Sequence, residues 1–137
     1  GAVRLRKRLL RFLERERICR VATTDAEGMP HVVPVCHVVH QGRIYFASEA
    51  ASRKIHNLRQ NPRAAVTVDL YTEDWARLAG VLIQGTARIL ERGPEFRRIR
   101  RLLYEKYPQY PEEAALEEGE SVIVELTPTH VAAWGLD

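Results

Sequence analysis

Apolar positions recur along this chain at two spacings, one helical and one alternating, and the switch between them marks out the elements. Val3 to Arg15 places Leu5, Leu9, Phe12 and Leu13 on one face and its arginines on the other, which predicts an amphipathic helix. Ile18 to Thr24 alternates as a strand, and Asp25-Ala26-Glu27-Gly28 has the turn chemistry to reverse it. Met29 to Val39 is the return strand. Pro30 and Pro34 lack a ladder donor, so this strand is expected to be irregular or at an edge. Gly42 to Ser48 reads as the next strand, Arg53 to Arg59 as a helix ended by Asn61-Pro62, and Arg63 to Asp69 as a strand again.

The second half repeats the two spacings. A polar loop, Tyr71 to Arg77, carries Trp75 and leads into a long strand from Leu78 to Glu91, where Gly85 allows a close approach. Gly93-Pro94 opens a helix from Glu95 to Lys106 with Phe96, Ile99, Leu102 and Leu103 as its buried stripe. Pro108 and Pro111 break that helix, and Ala114 to Glu118 is expected to add a short helical turn. Ser121 to Leu126 reads as a final core strand and His130 to Trp134 as an extended tail.

Strands at short spacing, one crossover helix and no βαβ alternation predict a mainly β (β plus α) antiparallel barrel with helices at its ends. A single domain is expected, residues 1–137. So small a barrel has room inside for side chains only, so a large ligand would sit outside it.

Composition narrows the classes. With 21 Lys+Arg against 18 Asp+Glu the charge is +3, too mild to call for nucleic acid. Arg97, Arg98, Arg100 and Arg101 are not interleaved with aromatics as a nucleic-acid platform would be. No apolar run approaches the roughly 20 residues that span a bilayer, so no membrane partner and a cytoplasmic location are expected. Cys19 and Cys36 fall in apolar strand patterns and are expected as reduced thiols. The histidines His31, His37, His40, His56 and His130 show no zinc-like spacing, and no metal site is expected. Cys36 and His37, as strand neighbours, point to opposite faces and do not form a nucleophile and base pair.

The candidate chemistry lies between Gly42 and Asp69. Ser48 and Ser52 supply hydroxyls before a helix start, where backbone N–H groups favour an anion, and Arg53 and Lys54 add charge. The bland alternative is a surface helix with solvated charges. Gln84 stands in an apolar strand and either meets a ligand or faces solvent, and Trp134 either stacks on a ligand or simply packs.

The order of motifs resembles the pyridoxamine 5'-phosphate oxidase-like split barrels that bind FMN or coenzyme F420. The resemblance rests on Lys54 before Asn57-Leu58, Asn61-Pro62-Arg63 leading into a strand, and Gln84-Gly85-Thr86-Ala87 inside a long strand, with Val68-Asp69 and Glu73-Asp74-Trp75 leaning toward the F420 branch. It implies a six-stranded antiparallel split β-barrel of Greek-key type with short flanking helices, and an oxidoreductase that moves hydride to a small conjugated or heterocyclic substrate, with FMN or F420 in a groove of a homodimer. A non-catalytic flavin carrier or sensor of the same fold is the alternative. It also implies cofactor contacts from Pro34, Val35, Cys36 and His37 along one side of the ring, from Ser48, Ser52, Arg53 and Lys54 at its acidic end, and from Gln84, Gly85 and Trp134, the last of these from the partner chain. His37 is a candidate proton source, and no catalytic residue is assigned. Arg53, Arg59, Arg63, Arg77 and Arg88 are candidates for a groove that takes an acidic cofactor tail. The chain closes Val131-Ala132-Ala133-Trp134-Gly135-Leu136-Asp137 without the arginine of true pyridoxamine phosphate oxidases, so vitamin B6 oxidation is not expected.

Overall fold

The computed structural model describes residues 1–136. Its elements are α1 (Lys7–Arg15), β1 (Cys19–Thr24), β2 (Pro30–Val35), β3 (His37–His40), β4 (Arg43–Glu49), α2 (Arg53–Gln60), β5 (Arg63–Leu70), a 3-10 turn (Trp75–Arg77), β6 (Ala79–Leu90), α3 (Pro94–Lys106), α4 (Tyr110–Glu113) and β7 (Ser121–Trp134). The strands form one antiparallel sheet of seven in the order β2-β1-β5-β6-β7-β4-β3.

The count is therefore seven strands and not six. The return strand predicted over Met29 to Val39 is split at Cys36 into β2 and β3, which pair with different neighbours, β1 and β4. These are the two edges of the sheet, and Cys36 alone joins them. The sheet must curl until its edges meet at that residue. At the other end of the chain, the predicted core strand and extended tail are one long β7. It pairs with β4 through Ser121–Leu126 and with β6 along most of its length, shifting register beside Gln84 and Gly85. The predicted turn at Ala114 to Glu118 lies earlier, as α4, where Tyr110 packs edge-on against Tyr107.

The inner face of the curl and the covering helices share one apolar core. Phe12 and Leu13 of α1, Ile55 and Leu58 of α2, and Val21, Phe46, Val66, Ile83 and Val124 of the strands are all essentially buried within it. A second cluster lies beneath α3, where Phe96, Ile99 and Leu103 meet Val38, Tyr45 and Ile123. The apolar stripes legible in α1 and α3 are thus the faces that pack.

Around Cys36 the backbone is tied to both helices. The Tyr107 hydroxyl accepts from the His37 N–H at 2.9 Å and lies 2.6 Å from the His37 carbonyl and 2.9 Å from that of Arg17. The Lys106 ammonium donates to the Glu16 carbonyl at 2.8 Å. His37 itself is fully buried, with Nε2 2.7 Å from the Leu13 carbonyl and Nδ1 without a partner among the described residues. Burial, with the Lys106 charge next, lowers its pKa from 6.5 to about 4.

Two outcomes follow from this packing. Between pH 6.5 and 4 the unfolded chain takes up a proton at His37 that the folded chain refuses, so stability is whole above that window and falls through it, by roughly 3 kcal/mol at its lower end. Urea midpoints of the wild type and His37→Gln, compared at pH 7 and pH 5, are expected to show a steeper acid loss in the wild type; equal slopes would refute the assignment. A Cβ at Gly85 would lie 2.1 Å from the Thr127 carbonyl oxygen, a backbone atom that cannot swing away. Gly85→Ala is expected to cost on the order of 3 kcal/mol in the same assay.

Candidate functional site

Helix α2 is held in place by polar ties as well as by its apolar face. Asn57 is buried and its Nδ2 donates to Thr23 Oγ1 at 3.1 Å, while Asn61 Nδ2 donates to Thr24 Oγ1 at 3.1 Å, so the middle and the C-terminal end of the helix are pinned to β1. These asparagines were legible in the sequence only as a motif, and their structural work is this attachment. The N-cap, Ser52, makes no side-chain cap, which leaves the N–H groups of Arg53, Lys54 and Ile55 without the partner a capping side chain would supply. Ser52 Oγ instead lies 2.7 Å from Ser48 Oγ on β4.

Lys54 is half-buried beside these groups and Arg53 is exposed; neither makes an ion pair among the described residues. Burial lowers the Lys54 pKa, and Glu49 acts against that shift. A partly desolvated ammonium, paired hydroxyls and uncapped helix N–H groups together make a donor-rich place, with Glu49 the acidic group that acts on Lys54. This is the arrangement that the phosphate end of a flavin, or the acidic end of a deazaflavin, would complete, and the residues fit such a group.

Next to it runs a groove of about 520 Å³ between β4 and the segment after α3, lined by Ala47, Ser48, Ala50, Ala51, Tyr110, Ala114 and Ala115, with Glu49 and Glu120 at its polar side. Small side chains leave the space, and sequence reasoning identified only its Ser48 end because alanines carry no chemical signal. Cys36 and Ala47 pack, partly buried, against the same apolar cluster at the mouth of the β3–β4 pair.

The structure thus brings Cys36, Ser48, Ser52, Arg53 and Lys54 to one side of the molecule. Pro34 and Val35 lie on edge strand β2, with Pro34 exposed on the outer face opposite Arg20. The side chain of His37 is sealed in the core and holds α1. Gln84 and Gly85 line a different cleft, of about 540 Å³, with Thr24, Asn61, Arg63 and Thr129. Gly85 also has a purely structural reason to be glycine, the approach of β7. Trp134 is 45% exposed and covers Gly80, where a Cβ would strike its ring at 2.2 Å. The arginines proposed for a common groove are dispersed: Arg59 pairs with Glu91, Arg88 with Glu95 and Glu125, and Arg63 lies in the Gln84 cleft. Among the described residues no cluster of potential metal ligands occurs. No helix is long and apolar enough to cross a membrane.

Comparison with known proteins places this geometry. A reductase of 5a,11a-dehydrotetracycline and 5a,11a-dehydrooxytetracycline from Streptomyces rimosus is 28% identical over 131 residues, 92% of this chain and 80% of that protein. The conserved hypothetical protein Rv2991 from Mycobacterium tuberculosis superposes with a TM-score of 0.82 at 23% identity, covering 97% of this chain and 86% of the other. A solved F420 reductase superposes at 0.71 and 20% identity (89% and 94%), and the heme storage protein HutZ from Vibrio cholerae at 0.77 and 18% (96% and 94%). At these identities the solved structures share the fold. The sequence model for pyridoxamine 5'-phosphate oxidase matches residues 5–135, nearly the whole described chain. By that match and by its curled antiparallel sheet, the chain belongs to the pyridoxamine 5'-phosphate oxidase family.

Proposed function

We propose that the protein is a flavin- or deazaflavin-dependent oxidoreductase, binding FMN or coenzyme F420 at a homodimer interface and acting on a small conjugated or heterocyclic substrate. The observation that carries this reading is Lys54, half-buried and without an ion pair among the described residues, at the uncapped start of α2 beside Ser48 and Ser52. The reductase from S. rimosus and the solved F420 reductase support the reaction class. When bound, the cofactor supplies hydride transfer. The chain's part is to hold the acidic end through Lys54, Arg53 and the helix N–H groups, and to seat the ring against the alanine-lined groove. An anion there also favours the charged form of Lys54 that burial opposes.

The distribution of the candidate residues supports a second copy. Gln84 and Trp134 lie on β6 and β7, on the outer face of the sheet, away from the α2 start. That face carries Val32 at 65% exposure, followed across the ladder by Ala22, Ala65, Gln84 and His130, with Leu82 and Ala132 paired two residues along. An apolar sheet face of this kind suits isologous pairing, which would carry one protomer's Gln84 and Trp134 toward the other's groove. True pyridoxamine phosphate oxidation is not part of the proposal.

Fluorescence titration with FMN and with F420 tests the cofactor. Saturable binding of one of them is expected, weakened in Lys54→Ala by roughly tenfold or more; binding of neither would overturn the reading, and binding without turnover of any acceptor would favour a carrier. Light scattering tests the assembly. The 15.7 kDa chain is expected at twice its mass, and Val32→Asp, a change at an exposed position, is expected to return it to a monomer with weakened cofactor binding. A wild type that runs as a monomer would remove the dimer from the proposal.

A further inference from the structure

Between the β3–β4 turn and α3 lies a polar cleft of about 390 Å³ that shares no lining residue with the α2 start or the groove beside it. At its floor Glu125 is only 8% exposed. Its carboxylate is fully engaged: Arg88 donates from Nε at 3.1 Å and from Nη2 at 3.0 Å, and the Tyr45 hydroxyl donates at 2.9 Å. The other carboxylate of the cleft, Glu95, takes the remaining Arg88 donors at 2.6 and 3.3 Å. Every acidic acceptor in the cleft is thereby used.

The donors are not used up. Arg43 spends only its Nε, on Thr127 Oγ1 at 3.1 Å, and Arg98 makes no hydrogen bond or ion pair among the described residues, yet both line the cleft. His40, its ring tilted against Tyr45 at 6.3 Å between centroids, also lines the cleft, and its buried Nε2 has no partner among the described residues. Three arginines against two carboxylates leave the lining one positive charge in excess, counting His40 as neutral. Buried polar atoms are ordinarily paired, and an acceptor-rich ligand would pair these.

We infer that this cleft is a binding site for a small oxyanion of the phosphate or carboxylate type, held by Arg43, Arg98 and His40 over the Arg88–Glu125 pair. Glu125 and Tyr45 act as positioning groups, fixing Arg88 so that its charge faces the cleft without collapsing onto it. The site is distinct from the α2 start and does not rest on the cofactor reading.

Titration calorimetry with inorganic phosphate and, separately, citrate tests it, carried out on Lys54→Ala so that the α2 start is weakened as a competing site, with the His40 ring nitrogens followed by NMR. Saturable binding of at least one probe, a moved His40 signal, and a loss of roughly tenfold or more on adding Arg98→Gln are expected. Arg98 is exposed, so that substitution leaves the fold intact; Arg43→Gln is the companion variant and should weaken binding likewise. Phosphate-selective binding identifies a phosphate ligand and citrate-selective binding a carboxylate one. No saturable binding, or binding that survives both arginine substitutions, would overturn the inference.

Discussion

The single-residue link at Cys36 is the constraint on which the rest of this molecule depends. Because β2 and β3 are opposite edges of one sheet yet adjacent in the chain, the sheet cannot lie flat. Curling brings the inner faces of β1, β4, β5, β6 and β7 around a common core, and it places the ends of α1 and α3 over the junction. The buried hydrogen bonds of His37 and Tyr107 hold the link from both sides. Leaving one such donor or acceptor unmet costs on the order of 1–3 kcal/mol, so the polar groups specify this curl where apolar packing alone would tolerate others.

The same geometry sorts the polar groups by task. Asn57 and Asn61 serve attachment, since their partners are threonines of β1. Lys54 stands one turn before Asn57 with no such partner, and Ser52 meets only Ser48. The difference between a committed and an uncommitted polar side chain is what separates scaffold from site, here and in the arginine-rich cleft beneath α3.

Most of the fold was legible because the apolar stripes of α1 and α3 and the alternation of β1, β5 and β6 are local signals, and packing followed them. Where reading failed, the reason was nonlocal. Nothing local in Val35-Cys36-His37 says that the strand changes partners there; the prolines signalled irregularity but not the break. Thr127-Pro128 looked like an end, yet β7 passes through it with a register shift because Gly85 on β6 lets the backbone come close. The donor cluster at the start of α2 was found from residue types, because a helix start concentrates donors in sequence as well as in space. The groove beside it was not, since alanines announce no function. His37 gave a misleading signal: histidine suggests proton transfer, and only the fold reveals that its ring is a buried brace.

β7 has one more consequence, for the order in which the chain can fold. It is the strand that joins β6 to β4, and so it bridges the part of the sheet containing β1, β2 and β5 to the part containing β3. Until β7 is made, a growing chain holds two separate sheet fragments with open edges and a core that lacks Val122, Val124 and Leu126. Closure through contacts this distant in sequence is intrinsically slow. On the ribosome those edges stay open until β7 emerges, and open strand edges invite pairing with other chains.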